Sequence, residues 1–157
     1  MAVEIERKFL VVGTAWRSRA SGIPYAQGYL CRDPQRTVRV RVAGAQGYLT
    51  IKGATQGISR AEFEYLIPLT EAQELLQLCD RPLIEKIRYR IPQSELIWEV
   101  DEFLGENQGL ILAEVELRST EQAILKPDWI GPEVSGDPRY FNAALVAHPY
   151  RQWAKEM

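Results

Sequence analysis

Residues 3–11, Val-Glu-Ile-Glu-Arg-Lys-Phe-Leu-Val, set two carboxylates and an ammonium at alternating positions of a stretch that otherwise reads as a β-strand. Successive side chains of a strand point to opposite faces, so Glu4, Glu6 and Lys8 share one face while Val3, Ile5, Phe9 and Val11 share the other. The pattern recurs along the chain. Arg39 and Arg41 alternate with valines, Glu62 and Glu64 with Ala61, Phe63 and Tyr65, and Lys86, Arg88 and Arg90 with Ile87, Tyr89 and Ile91. Glu99 and Asp101 flank Val100, and Glu114 and Glu116 flank Val115.

Like charges at i and i+2 stand about 7 Å apart. They repel by about 0.6 kcal/mol in water and on the order of 2 kcal/mol at the effective dielectric of a protein site. A single doublet is explained equally well by ion pairing across a solvated sheet face. The whole set, with both signs in register with the first-strand triplet, favours bound counter-ions. Carboxylates without histidine or thiol companions are hard oxygen donors, suited to Mg²⁺ or Mn²⁺. Guanidinium and ammonium groups suit phosphate oxygens. A cavity holding both suits a metal-bound polyphosphate.

The elements that must present these charges are strands. After 3–11, a short irregular or helical piece spans 15–20, and strands follow at 25–32, 36–42, 47–52 and 59–67, the middle two joined across Ala43-Gly44-Ala45-Gln46. Pro82 and Pro92 bracket a sixth strand, 95–103 makes a seventh, and 110–117 an eighth. Thr70-Glu71-Ala72-Gln73 has capping-box spacing and opens a helix with Ala72, Leu75, Leu76 and Cys79 on one face. Ser119-Thr120-Glu121-Gln122 predicts a second helix, ended by Pro127, and Asp137-Pro138 a last one through Ala147. The expected fold class is α+β, mainly β: a closed eight-stranded antiparallel β-barrel, a tunnel with a charged lumen, in a single domain over 1–157. Its apolar faces point outward, and the helices near 71–79, 120–126 and 139–147 cover part of the outside.

Composition bounds the rest. The 157 residues carry a net charge of −2, so no global field holds a polyanion such as duplex DNA, and any anion site is local. The aromatics Phe9, Phe63, Tyr65 and Tyr89 fall on the face opposite the charges, which disfavours a nucleic-acid stacking surface. Cys31 and Cys79 are far apart with no histidine companions, and His148 before Pro149 reads as a surface or helix-end residue. Trp16, Trp153 and Lys155 lie outside the strands and their charge doublets. Without a long apolar run or a basic-then-apolar N-terminus, no membrane association is expected, and the protein is expected to be cytoplasmic.

Glu4-Ile5-Glu6-Arg7-Lys8 resembles the E-x-E-x-K opening of the CYTH superfamily, the triphosphate tunnel metalloenzymes. Val38-Arg39-Val40-Arg41, Thr50-Ile51-Lys52, Glu62-Phe63-Glu64, Lys86-Ile87-Arg88 and Glu114-Val115-Glu116 follow in the family's order, and residues 137–145 resemble its C-terminal segment. The resemblance implies a divalent-metal-dependent triphosphatase of the inorganic type, acting on a small-molecule triphosphate as a monomer or homodimer. By motif position it implies that Lys8, Arg39, Arg41, Lys52, Lys86 and Arg88 hold phosphate oxygens, with Arg90 in phase. Glu4, Glu6, Glu62, Glu64, Glu114 and Glu116 would hold Mg²⁺ or Mn²⁺, with Asp101 in phase. Glu4, Glu114, Glu116 and Lys52 are the catalytic candidates, arranged around a metal-activated water. Thiamine triphosphatase and the class IV type of adenylate cyclase are the competing activities, and a non-catalytic polyphosphate-binding module is the competing class. Residues able to read a base or thiazolium are few, which favours inorganic triphosphate.

Overall fold

The computed structural model describes residues 2–156, with side chains through residue 153, so that of Lys155 lies outside the described residues. The strands are β1 (Val3–Val11), β2 (Gly22–Asp33), β3 (Arg36–Ala43), β4 (Gln46–Gly53), β5 (Ser59–Ile67), β6 (Ile84–Gln93), β7 (Leu96–Phe103), β8 (Ile111–Glu116) and β9 (Ile130–Glu133). Helix α1 (Leu69–Leu76) joins β5 to β6, and α2 (Asn142–Ala147) lies near the C-terminus. The strand order is β5-β4-β3-β2-β6-β7-β8-β1, and β1 returns to β5, so the first eight strands form a ring with every pair antiparallel.

The closing seam is short. Val3, Glu4 and Ile5 pair with Ala61, Arg60 and Ser59, and the amides of Glu6 and Glu62 extend the seam by donating to the carbonyls of Ile58 and Ala2. Beyond Glu6 the same edge of β1 turns to β9, which pairs at Phe9 and Val11 and is locked outside by the Arg7–Glu133 ion pair at 2.6 Å. This ninth strand was not expected. It carries Gly131-Pro132, a combination tolerated on a sheet edge because proline lacks a ladder donor.

Outward faces build two apolar clusters. Phe9, Trp98, Val100, Ala113 and Val115 pack under Trp16, from the 3₁₀ turn Ala15–Arg19, and Trp129. Val40 packs with Ala72, Leu76 and Cys79 where α1 lies on the hairpin β3–β4. A Cβ on Gly47 would stand 2.6 Å from that of Ala72, so glycine is what allows this close approach.

The third cluster corrects the expectation that all apolar faces point outward. Leu10, Ile84, Phe103 and Leu112 stand two residues from Lys8, Lys86, Asp101 and Glu114 on their strands, hence on the same, inward face. They pack with Tyr29, Tyr140, Leu145 and Val146. One end of the ring is therefore filled by an apolar layer, and the C-terminal segment caps that end rather than covering the outside.

Three helix expectations are also corrected. Residues 122–127 carry no helix; the Gln122 side chain instead accepts from the Arg118 amide at 2.6 Å. Helix α1 starts at Leu69 with Pro68 as its N-cap and no side-chain cap, so Thr70 and Gln73 do not form a capping box. The expected last helix is divided: Asp137 accepts from the Arg139 amide to cap a 3₁₀ turn, Pro138–Tyr140, and α2 follows it.

Candidate active site

The ring encloses a cavity of about 810 Å³. Of the residues singled out from sequence, Glu4, Glu6, Lys8, Arg39, Arg41, Lys52, Glu62, Glu64, Lys86, Arg88, Arg90, Glu114 and Glu116 line it, together with Glu99. Asp101 does not; it is fully buried behind Lys86 and Arg88.

Strand order sorts these charges. Carboxylates come mainly from β7, β8, β1 and β5, which are contiguous around the ring, and cations mainly from β4, β3 and β6, flanking β2. The wall is thus polarised, and its two halves meet at ion pairs. Lys52 Nζ donates to Glu4 at 2.9 and 3.2 Å and stands 3.4 Å from Glu62. Arg39 Nη2 reaches Glu64 at 3.4 Å and Thr50 Oγ1 at 3.2 Å. Lys8 Nζ stands 3.5 Å from Glu114 and donates to the Tyr140 carbonyl at 3.1 Å, tying the C-terminal cap to the site. Arg90 lies 3.3 Å from Glu99 and is more exposed than the other cations of β6.

Asp101 is the anchor of the basic half. Its carboxylate accepts from Arg88 Nε at 2.7 Å, Arg88 Nη2 at 2.8 Å and Lys86 Nζ at 2.8 Å. Burial opposes its ionisation, but Arg88 and Lys86 outweigh that and hold its pKa below the ordinary value. One carboxylate shared between two cations does not compensate both. Burial, with Arg88 and Arg41 adding, lowers Lys86 to about 7 against the pull of Asp101. Lys86 Nζ also donates to Asn142 Oδ1 at 3.1 Å, which accepts from Gln27 Nε2 at 3.0 Å.

Unbalanced groups remain on both halves. Among the described residues Arg41 forms no ion pair within 4.0 Å; its Nε donates to Gln27 at 2.9 Å, and burial plus the fields of Arg39 and Arg88 lower its pKa to about 10. Arg39 Nε is buried without a hydrogen-bond partner. On the acidic half, Glu6 faces Glu116 directly across the β1–β8 ladder. Burial, then Glu114 and Glu4, push Glu6 up to about 8. Burial and neighbouring carboxylates also raise Glu4 and Glu116, whereas Lys8 and Arg88 overcome burial at Glu114 and hold it below the ordinary carboxylate range. Among the described residues no three acidic, histidine or cysteine groups converge as a ready metal cage. Hard-oxygen donors with raised affinity for a positive charge nevertheless fit a divalent cation, provided further ligands arrive with the substrate or as water.

Four contributors were given no site role from sequence. Gln27, Tyr25, Thr50 and Asn142 are neutral, and a search for charged doublets passes over them. For Tyr25 and Gln27 the available signal was their alternate positions on the expected strand 25–32.

The CYTH domain family model matches residues 2–150. An inorganic triphosphatase of Acetivibrio thermocellus is 54% identical over 98% of this chain and 99% of its own length. One of Nitrosomonas europaea is 38% identical over 91% of this chain and 96% of its own. A crystal structure described as an inorganic triphosphatase superposes with a TM-score of 0.65 at 35% identity, covering 90% of this chain and 96% of that one. A polarised eight-stranded ring and a family match across nearly all of the sequence agree: this chain belongs to the CYTH domain family.

Proposed function

We propose that this protein is a divalent-metal-dependent hydrolase that cleaves inorganic triphosphate to diphosphate and phosphate within the ring, using Mg²⁺ or Mn²⁺. The observation that carries the reading is the double imbalance of the cavity. Arg41 and Arg39 Nε face it without a carboxylate or a hydrogen-bond partner respectively, while Glu6 opposes Glu116 with its pKa raised to about 8. A metal-complexed polyphosphate supplies the missing anion to one half and the missing cation to the other. The activity of the two relatives supports the same assignment.

In this reading Arg39, Arg41, Lys52, Lys8, Lys86 and Arg88 bind phosphoryl oxygens, with Arg90 at the margin. Those cations stabilise charge that moves onto the leaving diphosphate as the P–O bond breaks. Glu4, Glu6, Glu114 and Glu116 would hold the metal on one side, and Glu62 and Glu64 toward the neighbouring strand. A bound divalent cation supplies charge neutralisation and lowers the pKa of a water for attack on the terminal phosphorus. Asp101 is reassigned from metal ligand to positioning residue, because Lys86 and Arg88 engage both its oxygens. Among the described residues that line the cavity none is a histidine or cysteine, which accords with water as the nucleophile.

The lining also accounts for an inorganic substrate. Trp16 is buried in the outer core, and Trp153 packs on Tyr140 and Tyr150. Of the aromatics that line the cavity, Tyr25 is overlaid by guanidinium groups and Phe141 by Lys8, so these two rings offer no open platform for a base. Among the described residues no helix is long and apolar enough to cross a membrane. The test is phosphate release from tripolyphosphate, ATP and thiamine triphosphate at matched free metal. Tripolyphosphate is expected to give the highest kcat/KM, and a preference for either organic substrate would refute the assignment.

A further inference from the structure

On β2, which lies between the basic strands β3 and β6, Tyr25 and Tyr29 line the cavity, and Gln27, fully buried between them, shares their face by strand alternation, making a neutral row. Tyr25 pairs with Ala43 on β3 and with Lys86 on β6. Arg41 and Arg88 are two residues from those partners, at the diagonal positions that long and aromatic side chains reach across a sheet. Both reach back over the Tyr25 ring, with guanidinium carbons 4.9 Å and 5.1 Å from its centroid.

The two arginines are held differently otherwise. Arg88 is fixed by Asp101, with Glu99 and Glu114 at 3.4 and 3.6 Å. Among the described residues, Arg41 has the Tyr25 face and the Gln27 side-chain amide oxygen, at 2.9 Å, and no carboxylate within 4.0 Å. A carboxylate in place of either would hold Arg41 more strongly but would cancel the charge an anion needs. A ring face and an amide oxygen fix its direction and leave that charge intact.

We propose that Tyr25 and Gln27 are positioning residues that aim the Arg41 guanidinium into the phosphate-binding space without neutralising it, Tyr25 steadying Arg88 as well. The inference rests on the phosphate-binding role proposed above for Arg41 and Arg88. Neither Tyr25 nor Gln27 is required to touch the reacting atoms.

The experiment is a double-mutant cycle on the full chain, with kcat and KM for tripolyphosphate and Mg²⁺ and a thermal melt for every variant. Tyr25→Phe keeps the ring and should stay within about 3-fold of wild type, whereas Tyr25→Leu should lose on the order of 10-fold in kcat/KM. In an Arg41→Ala background the same Tyr25→Leu change should cost only about 3-fold, the remainder acting through Arg88. Equal losses in both backgrounds would overturn the proposal, as would a Tyr25→Phe loss matching that of Tyr25→Leu. Gln27→Glu supplies the second variant: it keeps the acceptor toward Arg41 Nε, adds a counter-charge and removes the Nε2 donor to Asn142, and should raise KM about 10-fold, the melt recording separately what loss of the Asn142 bond costs. An unchanged KM would overturn the claim that neutrality matters. If wild type releases no phosphate, the hydrolase reading fails; the same cycle is then read on tripolyphosphate Kd by calorimetry, where the coupling between Tyr25 and Arg41 is expected to persist and its absence overturns the positioning role.

Discussion

Replacing Asp101 by asparagine should destabilise the protein far more than a change of one atom suggests. The carboxylate is fully buried and compensates Lys86 at 2.8 Å and Arg88 at 2.7 Å; without it Arg88 loses its main partner, and Lys86, already lowered to about 7, is pushed further toward the neutral amine beside Arg88 and Arg41. At an effective dielectric of about 20, each contact is worth on the order of 6 kcal/mol before desolvation is counted. Breaking one member of a buried pair typically costs about 3–5 kcal/mol net. At roughly 2–4 °C per kcal/mol for a chain of this size, the melting temperature should fall by about 6–20 °C. The pH dependence has a definite sign. Asp101 has a folded pKa below its unfolded one, so its contribution is present above the unfolded value and lost as pH falls through the folded one. The variant lacks that contribution, so the gap between it and wild type should narrow once pH falls through the folded Asp101 value. The assay is a set of thermal melts from neutral to acid pH, with and without tripolyphosphate, which should narrow the gap by supplying an anion. A neutral-pH loss below about 1 kcal/mol, accompanied by a large fall in kcat, would refute the anchoring role and return Asp101 to metal binding or chemistry.

Arg39→Ala and Lys52→Ala should each lower kcat/KM for tripolyphosphate by on the order of 10²-fold, while Lys126→Ala, on the outside near Phe9, should not; steady-state kinetics that ranked the three alike would undo the inward assignment. At pH 7 a Glu6 carboxyl titrating at about 8 is mostly protonated, so binding Mg²⁺ there should release close to one proton. Calorimetry in two buffers of different ionisation enthalpy measures that number, and Glu6→Gln should abolish it; equal release by wild type and variant would place the metal elsewhere.

Much of the ring was legible because a strand has a period of two. Once Glu4, Glu6 and Lys8 were assigned to one face, the doublets of β3, β5, β6 and β8 followed, and these side chains do share the cavity. The same alternation carries Leu10, Ile84, Phe103 and Leu112 inward, but their partners Leu145 and Val146 come from a distant segment that strand periodicity does not place. Strand β9 was hidden by Gly131-Pro132, which reads as a turn until an exposed edge of β1 is available to receive it. The predicted 120–126 helix failed because a capping signature says where a helix can begin, not that one forms; the Gln122 side chain accepts from the Arg118 amide instead. Within the site, charge drew attention to Asp101 as a ligand; only the register Arg88↔Asp101 and its buried hydrogen bonds give it a different part. Asn142 and Gln27 are neutral and 115 residues apart, so their contact depends on the tertiary fold alone.

As proposed above, the polarised cavity turns over a metal complex of inorganic triphosphate. The most direct measurement is phosphate release from tripolyphosphate by the wild-type chain, in EDTA and then after Mg²⁺ or Mn²⁺ is restored. No turnover is expected in EDTA, with recovery on either cation and equimolar diphosphate and phosphate as products. Full turnover in EDTA, or none with any divalent cation while tripolyphosphate still binds, would contradict the proposal.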